Sequence, residues 1–253
     1  MNSILRALSI WYQLLPGSLL LEAECDVLST LLPACHGDHI VLVGGSPSMA
    51  HLRSSPILHQ VHFDVSASDH VAVSQVLVDV VDLPLLPHSV DVIVLAHVLE
   101  ASDKPSLLLE QVYDSLAPGG YVIVVAMNCW SWWGVKRLIK GKKGFPWHLN
   151  FLSSRQLRHL LQREKFSVDC RKHCFFRPPL SSDSLMERLL WMEQLGSWLC
   201  PGLGASSIVL AQKTTSALIE RKKKRIWHGK PTFHPVIKSS ARVIDYHSKH
   251  ISE

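Results

Sequence analysis

Residues 79–125 read DVVDLPLLPHSVDVIVLAHVLEASDKPSLLLEQVYDSLAPGGYVIVV. Asp79 and Asp82 precede Leu83-Pro84, and after a short polar turn Asp91–Ala96 runs almost without polarity. A continuous apolar run of that length, closed off by turn residues, is the pattern of a strand covered on both faces. Lys104–Leu116 carries Leu107, Leu108 and Leu109 and reads as a helix. Pro118-Gly119-Gly120 then turns the chain into a second apolar run, Tyr121–Ala126. Strand, helix, strand at this spacing is a crossover between parallel neighbours.

The same alternation extends in both directions. Upstream lie apolar runs at Ile40–Val43, Val61–Val65 and Gln75–Val78, with Ser48–Leu52 starting a helical turn after the first. Before them, Trp11–Leu15 and Leu19–Leu32 read as helices. Downstream, Ser153–Glu164 is helical, with Ser153 or Ser154 as N-cap and Leu157, Leu160 and Leu161 on one face. Phe166–Cys170 and Ser207–Ala211 suit two closing strands. The expected fold is therefore α/β, a doubly wound, mainly parallel seven-stranded sheet flanked by helices. Its expected divisions are N-terminal helices at 1–35, the sheet domain at 36–212 with a Trp/Lys-rich insertion or lid at 128–150, and a basic tail at 213–253.

Composition sets bounds on function. The 253 residues are 47% hydrophobic and 19% charged, enough for one sizeable core and unlike a disordered chain. No apolar run reaches the roughly 18 residues of a membrane span. The stretch Ile10–Leu21 is interrupted by Gln13 and Pro16-Gly17 and reads as the start of the folded domain. The six cysteines form no CxxC pair, so a metal site is not expected and the thiols are read as reduced. From Lys213 onward ten lysines and arginines face three acidic residues, a local charge of +7 in a chain of +5. That tail, densest at Arg221–Arg225, lacks hydrophobic periodicity and is expected to be disordered. It is read either as an electrostatic contact for RNA, DNA or anionic lipid or as a solubilising extension.

Ligands of doubly wound sheets bind at the carboxyl ends of the central strands. After the first strand comes the turn Gly44-Gly45-Ser46-Pro47-Ser48, where missing side chains let backbone approach a ligand. Asp64 lies 20 residues beyond Gly44, the distance at which a carboxylate in a nucleotide-binding βαβ unit reaches a ribose diol. The other reading of Asp64 is a turn or N-cap aspartate.

Asp79, Leu83-Pro84, the strand to Ala96-His97, the Leu107–Leu109 helix and Pro118-Gly119-Gly120 together resemble the middle of a class I S-adenosylmethionine-dependent methyltransferase domain of the type-11 group. Further residues narrow the likeness: Trp11, Pro16-Gly17, Leu20–Glu24, the abbreviated glycine loop, Asn128–Leu138 and Phe151–Leu157. They resemble, over about residues 8–225, a small branch of uncharacterised proteobacterial methyltransferase-like proteins with an imperfect glycine loop and a basic tail. The resemblance implies the class I methyltransferase fold, S-adenosyl-L-methionine as cofactor and methyl transfer as activity. It assigns cofactor contacts to Gly44, Gly45, Ser46, Asp64, Asp79, Val80, Ala96 and His97. Asp79, with Asp82 as competitor, would stand near the adenine amino group, and the backbone of Val80 beside the ring. The chain departs from the family at its loop: Ser46 and Ser48 stand where the second and third glycines belong, and Leu42 where an acidic residue belongs.

His97 follows the fourth strand on the segment that in the family lines the methionine end and faces the acceptor. It is the candidate catalytic residue, as general base, against a structural histidine held by hydrogen bonds. Residues 128–150 hold Trp130, Trp132, Trp133 and Trp147 among five lysines and arginines. Four readings are open there: a lid, an interfacial membrane helix, a nucleic-acid surface, and a helix with core tryptophans and a solvated lysine face. The expected acceptor is a small molecule of lipophilic character, and the expected location is cytoplasmic or peripheral at the inner membrane. Two other functions stay open: a catalytically inactive methyltransferase fold that binds a ligand or partner, and a nucleic-acid-binding protein acting through its tail.

Overall fold

A computed structural model describes residues 2–44, 47–64, 75–77, 83–141, 144–180 and 183–214. Residues 1–216 cluster as one compact unit. Its frame is a seven-stranded sheet: β1 (His39–Gly44), β2 (His59–Asp64), β3 (Gln75–Leu77), β4 (Val90–Ala96), β5 (Leu116–Met127), β6 (Phe166–Cys174) and β7 (Ser206–Lys213). The spatial order is β3-β2-β1-β4-β5-β7-β6. The first five strands are parallel, and β7 runs antiparallel between β5 and β6.

The continuous apolar runs are explained by cover on both faces. Val41, Val43, Ile93 and Leu95 point into one layer with Leu108, Leu109 and Val112. Their alternates Ile40, Leu42, Val92 and Val94 point into the other with Leu28, Leu31 and Leu52. The helices are α1 (Asn2–Trp11), α2 (Gly17–Leu31), α3 (Pro105–Ser115), α4 (Trp132–Lys140), α5 (Ser154–Arg163), α6 (Asp183–Arg188) and α7 (Trp191–Leu199). Short 3-10 turns occupy Leu32–Ala34 and Pro47–Leu52. At α5 the capping box is complete: the Ser153 hydroxyl accepts from the Gln156 N–H while the Gln156 side chain accepts from the Ser153 N–H.

Three expectations are corrected. The first helix lies upstream of Trp11–Leu15: Leu5 and Leu8 bury its inner face, and the chain turns back after Trp11. Gly17 makes that turn possible, since a Cβ there would meet the Trp11 carbonyl oxygen at 2.2 Å. Leu116 opens β5 instead of ending the preceding helix. Lys213, counted above with the tail, ends β7 and is buried, its ammonium donating to the carbonyls of Tyr113 and Leu116 at 2.5 and 2.7 Å. The remainder of the tail, residues 215–253, lies outside the described residues, and so do the contacts suggested for it. Helices α6 and α7 are additions the sequence pattern did not predict. No described helix is long and apolar enough to cross a membrane.

Candidate active site

The carboxyl edge of the sheet brings the ends of β2, β1 and β4 side by side. Val43 pairs with Phe63 and Gly44 pairs with Ala96, which places Asp64, Gly44 and His97 at the ends of three adjacent strands. Gly44 has φ +129°, and a Cβ on it would meet the Ala96 carbonyl oxygen at 2.2 Å. Only a residue without a side chain lets β1 leave the sheet this close to β4. The Gly44 carbonyl accepts a 2.9 Å hydrogen bond from Nε2 of buried His62, whose Nδ1 has no hydrogen-bond partner among the described residues. Asp64 ends β2. Gly45, Ser46, Asp79, Val80 and Asp82 lie outside the described residues.

The densest chemistry surrounds His97. Its φ is +57°, a left-handed conformation that a residue with a side chain keeps only when its surroundings hold it there. Its backbone N–H donates to Val125 on β5 at 2.9 Å. Its ring Nδ1 donates to Glu100 Oε1 at 2.5 Å, and Nε2 donates to Glu24 Oε1 at 3.0 Å. Glu100 Oε2 in turn accepts the Met127 N–H at 2.8 Å, tying the loop after β4 to the end of β5. Glu24 Oε2 accepts from the Tyr12 hydroxyl at 2.7 Å and from His51 Nε2 at 3.2 Å. All five side chains are buried. They come from the end of α1, the middle of α2, the 3-10 turn after β1 and the loop after β4, so one polar cluster locks the N-terminal helices onto the carboxyl end of the sheet.

Burial is the largest single influence on His97 and works against its charge. The carboxylates of Glu100 and then Glu24 override it and push the imidazole up to about 10. Burial likewise opposes ionisation of Glu24, but the His97 charge and the hydrogen bonds from His51 and His97 hold that carboxyl well below the usual carboxylate range. Burial, reinforced by the Glu24 charge, raises Tyr12, which stays a neutral donor. The centre of the cluster is thus an imidazolium between two carboxylates. A general base needs a free lone pair at the acceptor proton, and both ring nitrogens of His97 are engaged.

Four members of this cluster, Tyr12, Glu24, His51 and Glu100, were not singled out from the sequence. For Glu24 a signal was present. It falls on the buried stripe of α2 with Gly17, Leu20, Leu28 and Leu31, and a carboxylate at a core position calls for a partner.

The Trp-rich segment divides. Trp133 is buried, donates Nε1–H to the Arg177 carbonyl, and meets Trp11, Trp147 and Phe175 with ring centroids 5.6–6.0 Å apart. Trp11 continues to Tyr12 at 5.7 Å, and Tyr12 lies 5.9 Å from the His97 ring. Trp130 and Trp132 are exposed. The segment is fastened at its root: Asn128 bridges to Leu152, and its amide donates to the carbonyls of Gly202 and Gly204.

The profile of a family described as a methyltransferase domain matches residues 12–171, well over half of the chain. This chain belongs to the class I S-adenosylmethionine-dependent methyltransferases. Its relatives include the uncharacterized protein YafS of Escherichia coli strain K12, 26% identical over 212 residues and covering 82% of each chain. Among solved structures, a possible histamine N-methyltransferase of Thermotoga maritima is 18% identical with a TM-score of 0.59, over 81% of this chain and 93% of that one. A methyltransferase of Archaeoglobus fulgidus is 17% identical with a TM-score of 0.54, over 75% and 92%. The geranyl diphosphate C-methyltransferase of Streptomyces coelicolor, solved with S-adenosyl-L-homocysteine, is 16% identical with a TM-score of 0.50, over 75% and 79%. At these identities the likeness is one of fold. S-Adenosylmethionine is the cofactor of this methyltransferase, and one feature at this edge fits it: the buried Nδ1 of His62, which has no hydrogen-bond partner among the described residues and could accept a bond from a ligand.

Proposed function

We propose that the protein transfers a methyl group from S-adenosylmethionine to a small lipophilic acceptor held against the aromatic side of the His97 cluster. The observation that carries the reading is the side-by-side placement of Gly44, Asp64 and His97 at the carboxyl edge. Asp64 is proposed to hold the ribose, the Gly44-Gly45-Ser46 backbone to pass beneath the methionine part, and Asp79 with the Val80 backbone to bind the adenine. Ala96 and His97 are proposed to line the methyl end.

The bound cofactor supplies a methyl carbon on a positively charged sulfur, so that an acceptor lone pair forms the new bond as the carbon–sulfur bond breaks and a neutral thioether leaves. The protein's share of this chemistry is alignment and exclusion of water. His97 is proposed to act as a positioning residue. Its charge fixes Glu24 and Glu100, and through them the backbone of α2 and β5 that borders the methyl end. Two carboxylates around one imidazolium would leave the cluster with a net negative charge, which favours a sulfonium nearby over a neutral thioether. Of the ring series Tyr12, Trp11 and Trp133, the first and last are buried and Trp11 keeps part of its surface open, and that ring supports the lipophilic class.

The experiment is incubation of the protein with methyl-labelled S-adenosylmethionine and an organic-solvent extract of its host cells. Label recovered in the organic phase, and absent with Asp64→Ala, is the expected result. Label confined to protein or nucleic acid would overturn the small-molecule acceptor.

A further inference from the structure

Two helices expose apolar faces that the described residues leave uncovered. On α4, Trp132, Val135, Leu138 and Ile139 face solvent, with Leu138 and Ile139 more than four-fifths exposed at 82% and 81%. The opposite side of α4 is fixed by buried Trp133 and by Gly134, where a Cβ would strike the Cys129 carbonyl. On α7, Trp191, Leu195, Trp198 and Leu199 recur at helical spacing and all are exposed, Trp198 at 78%. The polar side of α7 points inward: Glu193 accepts from Arg177 Nε at 2.9 Å and from the Phe176 N–H at 3.0 Å. Residues 176–179 anchor α4 as well, through Trp133 to the Arg177 carbonyl and Lys136 to the Pro179 carbonyl. The two uncovered faces therefore grow from one shared strip of chain.

Charge indicates what covers them. From Ser115 to Arg163, the stretch that holds α4 and α5, the sequence has eight lysines and arginines and no acidic residue, while α7 has no basic residue and its one acidic residue, Glu193, is paired with Arg177. Lys140 on α4 and Arg155 and Arg158 on α5 are exposed. Interfaces between proteins are enriched in tryptophan and arginine but depleted in lysine, so the lysines on α4 are what favour a lipid partner. Tryptophan, leucine and isoleucine on one face with lysine and arginine beside them is the composition of a helix lying in the headgroup layer of an anionic bilayer. The geometry points to α4 and α7 as a two-helix seat on an anionic membrane surface, with the apolar side chains in the acyl boundary and the basic residues against lipid phosphates.

The test is co-sedimentation of the full chain with vesicles of phosphatidylglycerol mixed with phosphatidylcholine, against phosphatidylcholine alone. The variants are Leu138→Glu/Ile139→Glu on α4 and Trp198→Ser on α7, each with the basic tail intact. All three side chains are exposed, so unchanged thermal unfolding is expected of both. The expected result is binding to the anionic vesicles, weakened by high salt and weakened roughly tenfold or more in each variant. Three results would overturn the inference. The wild-type chain could ignore anionic vesicles. The variants could bind as the wild type does, leaving the tail as the contact. Finally, the wild-type chain could self-associate through this face, with the variants monomeric and vesicle binding unaffected.

Discussion

Glu24→Gln is the substitution that probes the buried cluster most sharply. The carboxylate accepts three hydrogen bonds, from His97 Nε2, Tyr12 and His51, at 2.7–3.2 Å, and it is one of two negative charges facing the His97 imidazolium. Glutamine keeps the size and removes the charge. Its single carbonyl oxygen can serve one side of the cluster, and its amide group then faces donors on the other. Glu100 still balances the imidazolium, so the loss comes from the buried donors left without their carboxylate acceptor, about 1–3 kcal/mol each for two of the three. For a chain of this size that is a fall in Tm of roughly 4–24 °C. The assay is denaturant unfolding followed by circular dichroism, with thermal melts alongside. The double variant Glu24→Gln/His97→Gln closes a cycle, and because the two groups touch, its loss should be smaller than the sum of the single losses. A Glu24→Gln variant within about 1 kcal/mol of the parent, or strictly additive losses, would refute a charged pair at the centre of the site.

His97 also sets a pH window. Its folded value of about 10 lies above the ordinary 6.5, so its contribution to stability is fully present below about pH 6.5 and is lost as pH rises toward 10. Unfolding free energy should fall across that interval in the parent and lose that component of its slope in His97→Gln; an identical slope in both would contradict the assignment. Gly44→Ala drives a methyl group to 2.2 Å from the Ala96 carbonyl oxygen and 2.9 Å from Val98 Cγ2 at a φ of +129°. A loss of at least about 1–3 kcal/mol together with cofactor binding is expected, and wild-type melting with wild-type affinity would count against it. Trp133→Ala, which empties the centre of the aromatic cluster, should cost about 3–5 kcal/mol, whereas exposed Trp132→Ala should stay within about 0.5 kcal/mol. Equal effects by chemical denaturation would show that the two rings are not packed as described.

Much of the fold was legible because the central strands are covered on both faces. Within these strands Ile40–Val43, Val92–Ala96 and Val122–Ala126 are buried at every position and apolar at every position, so the runs stand out in the sequence. The first helix was misplaced because its decisive residues, Leu5 and Leu8, are two positions in a short segment, and the Gly17 turn back over Trp11 depends on a tertiary contact. Helix α7 escaped because its apolar stripe faces outward, so its pattern answers to no layer of the core. At the site, topology placed Gly44, Asp64 and His97 correctly at the carboxyl edge, since strand order alone decides that position. Apart from nearby Glu100, the members of the cluster were hidden because they come from the end of α1, from α2 and from the turn after β1, with Glu24 itself 73 residues from His97 in sequence. Only the carboxylate on the buried stripe of α2 announced them.

The measurement closest to the central claim is calorimetric titration of the purified protein with S-adenosylmethionine and S-adenosylhomocysteine, with Asp64→Ala in parallel. The account predicts saturable binding of both ligands by the wild-type protein and loss of both in the variant. No binding of either ligand by a folded wild-type protein would contradict it.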